Sequence, residues 1–295
     1  MDLSEAAVSA PQSPRGPELR FNNGKLCIEL VPQVSPEQMV ENMRSALARG
    51  LPELRWCKPH EFTLAIASGG PSLEDTYKEL NGDIAAVNGS LGFLLERDIV
   101  PVFCGVLDAN EHMTDIVAAD PRVRYLVASN CHPSLFDKLL GAGCKVWLWH
   151  TTPASVGSLE AETVLKEARP ETWQMIGGGC SIGLRLINIG YVLGYRDFHL
   201  HGLDSSFRDR RTHAYADRRF GDWVDQNRIM INGYPTSINY MQQVTDFAGL
   251  LNRFAEPDID PCEFQVFGDG LLQSCWRKYK DAKGAMSAAE AFQQW

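Results

Sequence analysis

The sequence lacks the features that would assign it to several specialised classes of protein. Its 8 cysteines are spread along 295 residues without a CxxC pair, which excludes a zinc ribbon or a disulfide scaffold. It has no apolar run near the roughly 18 residues that a membrane helix needs. Its first residues also lack the basic segment and apolar segment of a secretory signal. We therefore expect reduced thiols and a cytoplasmic protein without a membrane span.

Positive charge is also scarce, with 28 Lys and Arg residues against 37 Asp and Glu residues. The formal net charge is −9, and a general nucleic-acid binder needs a cationic surface, so we expect no nucleic-acid partner. Hydrophobic residues make up 44% of the chain and charged residues 22%, which is typical of a globular protein. The length allows one large domain or two small ones.

Seven short apolar runs alternate with helical stretches after Glu61. The runs are continuous rather than alternating with polar residues, which is typical of parallel strands buried on both faces. We expect strands over residues 62–67, 83–87, 100–107, 123–128, 145–150, 197–202 and 264–268. The pattern predicts an α/β fold: a Rossmann-like, doubly wound, mostly parallel sheet with flanking helices and a lid-like loop.

The remaining segments predict the organisation of the chain. Before the sheet, Ser35 and Gln38 form a capping-box pattern, which indicates an amphipathic helix that ends near Gly50. We expect a flexible tail over 1–20, a strand and covering helix over 21–60, a core domain over 61–270 with a lid loop at 205–236, and a helical extension over 271–295.

The first candidate site is the run Gly69-Gly70-Pro71-Ser72, between a strand and a helix. Glycines let the backbone approach a ligand closely, and a helix N-terminus offers unpaired N–H groups to a phosphate. The run lacks the lysine of a Walker A loop and the GxGxxG spacing of a dinucleotide fold. A phosphate-binding loop and a tight strand-to-helix turn capped by serine both fit this pattern.

Two further candidates follow the next strands. In an open α/β sheet, ligands lie at the carboxyl ends of the strands. Asn88, followed by Gly89, is placed there to contact a nucleotide or a sugar, although an Asn-Gly turn also explains it. Asp108 follows the third strand at the same edge, where it contacts the ligand or caps the next helix.

A second glycine run, Gly177-Gly178-Gly179, precedes Cys180 and Ser181 at the start of a long apolar helix. Ser181 can cap that helix, and the N–H groups before it can hold an anion. Three consecutive glycines carry a cost in backbone entropy, so we expect ligand contact rather than a simple connection. The helix leads into a strand, after which Asp204 lies at the carboxyl edge.

The segment 207–219 concentrates positive charge, with five arginines against two aspartates in a chain of net charge −9. Such a loop is either a solvated surface segment or a mobile lid whose arginines meet phosphate or carboxylate groups. The second possibility suits a small anionic ligand. His213 lies in the middle of the segment.

The order and spacing of these segments resemble two groups of bacterial transferases. The loop ASGGPSL with Asn88-Gly89, and GGGCSIGLRLINIGYVLGYRDFHLHGLDSSF followed by Thr212-His213, resemble the Maf flagellin glycosyltransferases of the MptE-like (DUF115) proteins. The same order is similar to the Campylobacter-type sialyltransferases. The resemblance covers about residues 60–270. It implies a Rossmann-like catalytic domain that binds a nucleotide sugar.

The resemblance to the sialyltransferases also implies roles for individual residues. His213 matches their general base, Asp204 matches an acidic residue that follows a strand, and Asn88 matches their nucleotide-contacting asparagine. The donor would be a CMP-activated nonulosonate-type sugar, with no obligatory metal. The positions matching their nucleotide loop and donor-phosphate segment are Gly69, Gly70, Pro71, Ser72, Gly179, Cys180 and Ser181. Cys180 departs from the polar residue usual there.

Two alternatives stay open. The early glycine loop also resembles the archaeal 6-hydroxymethylpterin pyrophosphokinases, which use ATP and a metal, and in that case Mg²⁺ would be required. The second alternative is a nucleotide-binding module that has the same fold but no catalytic activity. The acceptor, a protein or a glycan, is not identified by the sequence, and the sequence is compatible with a homo-oligomer.

Overall fold

The computed structural model describes residues 18–22, 25–29, 34–151, 158–169, 174–215, 221–282 and 286–293. Its central element is a sheet of seven parallel strands in the order β11-β8-β3-β4-β5-β6-β7. These strands are β3 (Thr63–Ala67), β4 (Asp83–Val87), β5 (Phe103–Val106), β6 (Arg124–Ala128), β7 (Lys145–Trp149), β8 (Asp197–His201) and β11 (Glu263–Val266). All seven predicted strands and the predicted fold class are confirmed.

Two hairpins lie outside the sheet. One pairs β1 (Glu18–Asn22) with β2 (Lys25–Glu29), and the other pairs β9 (Ile229–Ile231) with β10 (Tyr234–Thr236). The first strand begins within the last residues assigned to the tail over 1–20, and residues 1–17 lie outside the described part of the chain.

Helices and one 3₁₀ turn, Tyr77–Glu79, connect the strands. The helices are α1 (Pro36–Ala48), α2 (Leu73–Thr76), α3 (Ser90–Leu95), α4 (Met113–Ile116), α5 (Pro133–Gly141), α6 (Ser158–Ala168), α7 (Ile182–Val192), α8 (Gly221–Asn227), α9 (Ile238–Phe254), α10 (Leu271–Asp281) and α11 (Ala288–Gln293). None of those in the described part is long and apolar enough to cross a membrane.

The predicted first helix is confirmed, and so is its serine cap. Ser35 accepts a hydrogen bond from the backbone N–H of Gln38 at 3.2 Å. The side chain of Gln38 does not complete the capping box, because it donates to Asn42 at 3.1 Å instead. Gly50 takes a φ of +62°, a left-handed conformation that ends helices and that glycine adopts without strain.

The order of the strands determines where a ligand-binding crevice can form in the sheet. The chain starts the sheet at β3, adds β4 to β7 on one side, and then returns to lay β8 and β11 on the other side. This reversal between β3 and β8 is a topological switch point, where the connecting loops separate and leave a crevice. Helix α7, apolar almost all round, covers the sheet there by packing against β3, β4 and β5.

Candidate functional site

A cavity of about 150 Å³ opens at this switch point, between the carboxyl ends of β3, β4 and β8 and the N-terminus of α7. The described residues that line it are Ser68, Gly69, Gly70, Val87, Asn88, Ser181, Ile182, Gly183, Gly202, Leu203, Asp204, Ser205, Ser206, Thr212, His213, Tyr215, Tyr240 and Gln243. The structure therefore brings together residues from four of the predicted motifs, which lie far apart in sequence.

The first glycine loop contributes to the cavity wall mainly through Gly69 and Gly70. The N–H of Gly70 is already used, because it donates to the carbonyl of Gly202 at 2.7 Å. A Cβ on Gly70 would lie 2.5 Å from that same oxygen, so this glycine serves the close approach of two loops. Pro71 and Ser72 are buried beneath the cavity. The backbone N–H groups of Gly70 and, as shown next, of Ser72 are thus engaged within the fold, and ligand contact by this loop stays a prediction.

Asp204 holds that loop in place. Its carboxylate, with 3% of the residue exposed, accepts the backbone N–H of Ser72 at 2.7 Å and also the Ser72 hydroxyl. A third hydrogen bond comes from Gln273 at 2.9 Å. Burial raises the pKa of Asp204, and the three hydrogen bonds act against that rise. This geometry links the loops that follow β3 and β8, and the catalytic role implied by the resemblance stays a prediction.

Asn88 projects from the carboxyl end of β4 with a φ of 45°, so the predicted Asn-Gly turn and the predicted site residue coincide. Its amide oxygen is buried and has no hydrogen-bond partner among the described residues. The neighbouring Ser90 ties this end of β4 to β3, because its hydroxyl donates to the carbonyl of Ala67 at 2.7 Å. Asn88 is thereby held at the cavity with its side-chain oxygen available to a ligand.

Ser181 stands at the N-cap of α7, but its side chain makes no capping hydrogen bond. Its hydroxyl is buried and, within the described part of the chain, has no partner. The first N–H groups of a helix have no partner within the helix, so an acceptor at this point meets both the hydroxyl and the backbone amides. Ser181 is the residue of the second predicted motif that the structure places in the cavity wall.

The glycines before Ser181 have a different role from the predicted one. Gly178 and Gly179 have φ values of +100° and +87°, which side-chain-bearing residues rarely adopt. A Cβ on Gly178 would overlap Asn188, and one on Gly179 would lie 2.5 Å from Leu184 Cβ. The run therefore folds tightly back on α7. Gly178 and Gly179 do not line the cavity, and the ligand contact expected of them stays a prediction.

Cys180 follows the same pattern. It is exposed, and its backbone N–H donates to the carboxylate of Asp246 at 2.7 Å. The buried Arg185 fastens the run from the other side by donating to the carbonyl of Gly179 at 2.8 Å. Cys180 does not line the cavity, and its departure from the polar residue of the relatives leaves the described site unchanged.

The segment 212–215 closes the cavity over the first glycine loop. Ala214 donates its N–H to the carbonyl of Gly69 at 2.9 Å. The ring of His213 stacks on that of Tyr215, with the centroids 4.9 Å apart. Thr212, buried at the base of the segment, has its hydroxyl 2.8 Å from His213 Nδ1. His213, predicted from its motif, is placed at the cavity as expected.

Tyr215 is a lining residue that the sequence did not single out. Its ring lies over both predicted glycines, since a Cβ on Gly69 would be 3.0 Å from its hydroxyl oxygen and a Cβ on Gly89 would be 2.8 Å from its ring. The absence of side chains at Gly69 and Gly89 lets this aromatic residue lie flat against the glycine loops. The sequence feature that could have identified Tyr215 is its position two residues after His213, in the same motif.

A sequence model of the family described as 6-hydroxymethylpterin diphosphokinase MptE-like matches residues 37–210, which is more than half of the chain. The chain belongs to the MptE-like family. The match includes both glycine motifs, Asn88 and Asp204, and ends just before His213. No curated protein matches the sequence.

Among solved structures, this MptE-like chain is similar to the Maf glycosyltransferase from Magnetospirillum magneticum AMB-1, with a TM-score of 0.55 and 12% identity. The match covers 87% of this chain and 43% of that one, so the chain spans less than half the length of that relative. It also matches the sialyltransferase CstII from Campylobacter jejuni in complex with CMP-3FNeuAc, with a TM-score of 0.31 and 14% identity, over 70% of this chain and 80% of that one. The first likeness supports the fold.

In the MptE-like chain, the described lid arginines do not line the cavity. Three of them pair with carboxylates on neighbouring helices: Arg208 with Asp75 at 2.7 Å, Arg211 with Glu74 at 2.9 Å, and Arg210 with Asp225. Two of these pairs fasten the loop to the outside of α2. Phosphate contact by the lid arginines stays a prediction, and Arg218 and Arg219 lie outside the described residues.

Asp108 also lies away from the cavity. It is exposed, and its carboxylate accepts the backbone N–H of Asn110 at 2.9 Å, which stabilises the turn before α4. The capping alternative describes this observed contact, and Asp108 does not line the cavity. Within the described ranges, no group of three or more His, Cys, Asp or Glu side chains is arranged to hold a metal ion.

Proposed function

We propose that this MptE-like chain is a glycosyltransferase that transfers a nonulosonate-type sugar from a CMP-activated donor to an acceptor hydroxyl. The observation that supports this proposal most is the meeting of His213 with Asn88 and Ser181 at one cavity. A titratable side chain stands there beside neutral polar atoms and a helix N-terminus. This combination provides a base, a nucleotide contact and a place for a leaving phosphate.

The reaction forms one bond and breaks one bond at the anomeric carbon of the donor sugar. The acceptor oxygen attacks that carbon, and the bond from the carbon to the phosphate oxygen breaks. The acceptor proton passes to His213 Nε2, and CMP leaves with the electron pair of the broken bond. Attack from the side opposite the phosphate inverts the configuration at the anomeric carbon. General-base catalysis of this kind contributes about 10²–10⁴-fold in rate.

Thr212 positions the base. In the base role His213 carries its proton on Nδ1, which donates to the Thr212 hydroxyl at 2.8 Å and leaves the lone pair on Nε2. Thr212 is 5% exposed, so this hydrogen bond is shielded from water. The backbone hydrogen bond from Ala214 to Gly69 fixes the same segment against β3.

The leaving phosphate gains negative charge as the bond breaks. The N-terminus of α7 carries the partial positive charge of the helix dipole and unpaired N–H groups, which stabilise that charge. Ser181 adds a hydroxyl at the same point. No lysine or arginine lines the cavity in the part of the chain that the structure describes, so hydroxyls and backbone amides supply this stabilisation.

The fold likeness to a Maf glycosyltransferase supports the transferase class, and the residue pattern shared with the sialyltransferases supports the CMP donor. The catalytic domain spans residues 61–270 in this proposal. The acceptor is a protein or glycan hydroxyl, the enzyme acts in the cytoplasm, and it needs no metal ion.

The family description favours a second candidate, an ATP- and Mg²⁺-dependent diphosphokinase that acts on a hydroxymethylpterin. Such a reaction would release AMP and would use carboxylates to hold the metal. The described carboxylates do not fit this requirement, because Asp204 is buried with its oxygens already bonded and Asp108 lies outside the cavity.

The test is the His213→Ala variant, with CMP-N-acetylneuraminic acid as the donor. CMP release in transfer to water needs no acceptor to be known. We expect the variant to lose about 10²–10⁴-fold in kcat while its KM changes little, because the base acts in the transition state. His112→Ala, at a histidine outside the cavity lining, is the matched control and should keep full turnover. Turnover within a few-fold of the native rate in His213→Ala would disprove the base assignment.

A further inference from the structure

Ser68 occupies an unusual position at the carboxyl end of β3. It directly follows the last residue of that strand and lines the cavity. It is 4% exposed, and its hydroxyl has no hydrogen-bond partner among the described residues. Buried polar side chains nearly always have a partner, so an unpaired hydroxyl facing a cavity indicates a missing ligand group.

The serines around it are engaged in the fold, which makes the contrast specific. Ser90 donates to the carbonyl of Ala67, and Ser72 bonds to Asp204. Ser205, on the opposite cavity wall, donates to Gln243 at 3.1 Å. Ser68 and Ser181 have hydroxyls without such a partner, and both lie at the end of the cavity that is formed by α7.

Gly183, in the first turn of α7, makes room for the Ser68 hydroxyl. A Cβ at this position would lie 2.5 Å from Ser68 Oγ, closer than real Cβ contacts allow. The hydroxyl therefore reaches the helix N-terminus, beside the backbone N–H groups that have no partner within α7. The Ser68 hydroxyl thus lies at the same end of the cavity as the N-terminus of α7, whose N-cap is Ser181.

We propose that Ser68 is a ligand-binding residue whose hydroxyl, together with that of Ser181, donates to a phosphoryl oxygen of the bound nucleotide at the N-terminus of α7. The inference rests on the proposed function for the presence of a nucleotide, but it applies to CMP and AMP alike. With no cationic side chain in the described lining, each hydroxyl donor to the anion carries a large share of the recognition.

The experiment measures calorimetric binding of CMP and of cytidine, which lacks the phosphate, to the full chain. Ser68→Ala should weaken CMP binding by about ten-fold or more, the effect of one hydrogen bond to a charged group, and leave cytidine binding unchanged. Ser129→Ala is the matched control, because Ser129 is also buried, lies outside the cavity lining and has its hydroxyl 2.9 Å from His150 Nδ1. It should change CMP binding less than three-fold.

A second pair of variants guards against a change in folding. Gly183→Ala should displace the Ser68 hydroxyl and weaken CMP binding, because its methyl group needs the same space. In the double variant Ser68→Ala/Gly183→Ala the space is free again. That variant should regain the thermal stability of the native chain, while its CMP binding stays weak.

Equal losses for CMP and cytidine in Ser68→Ala, or no loss for either, would overturn the proposal. If the native chain binds AMP and not CMP, the CMP donor of the proposed function fails, and the same comparison of AMP with adenosine tests Ser68. If the native chain binds neither nucleotide at millimolar concentration, the Ser68 proposal fails as well.

Discussion

The carboxylate of Asp204 accepts the backbone N–H of Ser72 at 2.7 Å, although 132 residues separate the two in sequence. This hydrogen bond joins the loop after β3 to the loop after β8, the two strands that flank the switch point. Ser72 and Gly70 have no N–H left for a phosphate, because Asp204 and Gly202 already accept those hydrogen bonds. We therefore expect an anion in the cavity to bind at the N-terminus of α7 rather than at α2.

Replacement of Asp204 separates a structural role from a catalytic one. Asp204→Asn should stay folded, because its amide group can donate to the Ser72 hydroxyl and to the side-chain oxygen of Gln273. In the native chain that oxygen has no hydrogen-bond partner among the described residues. We expect turnover within about five-fold of the native rate. Asp204→Ala should lower the free energy of unfolding by about 3–5 kcal/mol, as it leaves several buried groups unpaired.

Urea unfolding and CMP release from the donor check both variants of Asp204. A folded Asp204→Asn variant that loses about 10²-fold or more in kcat would contradict the structural role, because that loss is typical of a removed general acid or base.

Gly89→Ala tests the contact of Tyr215 with the glycine loops. Gly89 has a φ of −72°, so alanine causes no backbone strain, but its Cβ would lie 2.8 Å from the Tyr215 ring. The methyl group should displace Tyr215 and the stacked His213, which lowers kcat by about ten-fold with little change in thermal stability. The same substitution in a Tyr215→Ala chain should have no further effect. Additive losses in the double variant would show that the ring contact is not the cause.

Replacement of the lid arginines Arg211 and Arg208 should leave the affinity for CMP unchanged. Arg211 pairs with Glu74 at 2.9 Å, outside the cavity, and the two side chains are each 45% exposed. Arg211→Ala should therefore change CMP affinity less than two-fold, and Arg208→Ala should do the same. A direct hydrogen bond from arginine to the donor phosphate would cost about ten-fold or more when removed. A loss of that size, measured by calorimetry, would place these arginines at the ligand.

The buried His201 makes the fold sensitive to acid. Burial, with a smaller effect of His199, lowers the pKa of His201 to about 4, and the ring stacks on Phe267 at 4.2 Å. Between pH 4 and 6.5 the unfolded chain binds a proton at this residue that the folded chain does not. The free energy of unfolding is therefore unaffected by this group above pH 6.5. It decreases as the pH falls below 6.5, by about 2 kcal/mol at pH 5.

The His201→Leu variant isolates this effect, because leucine has a similar volume and cannot ionise. The free energy of unfolding is measured in urea at pH 8 and at pH 5 for both proteins. Its decrease from pH 8 to pH 5 should be about 2 kcal/mol smaller in the variant than in the native chain. His150, whose pKa is also lowered by burial, contributes equally to both proteins and cancels in the comparison. An unchanged difference would mean that His201 is not the acid-sensitive group.

The fold was predictable because continuous apolar runs mark parallel strands that are buried on both faces. The rule that ligands lie at the carboxyl ends of such strands then identified Asn88 as a cavity residue. The glycine run at a helix start identified Ser181, and the motif order identified His213. Each of these assignments depends on one strand, helix or motif. None of them needs knowledge of a long-range contact.

The contacts of the other predicted residues could not be read from the sequence, because they join distant segments. The Asp204–Ser72 hydrogen bond requires the pairing of β3 with β8, which no local pattern specifies. Gly178 and Gly179 are needed for packing against α7, and glycine composition alone does not distinguish packing from ligand contact. Ser68 is a candidate ligand-binding residue only because its hydroxyl is buried beside Gly183 and has no partner among the described residues, and neither property can be read from the sequence.

The measurement that tests the proposed reaction most directly compares products from two substrate sets, with and without a chelator. The native chain is incubated with CMP-N-acetylneuraminic acid, and separately with ATP and 6-hydroxymethylpterin. We predict CMP release above the rate without protein, undiminished by EDTA and lost in His213→Ala. Release of AMP that depends on Mg²⁺, with no release of CMP, would contradict the proposed glycosyl transfer and support the diphosphokinase.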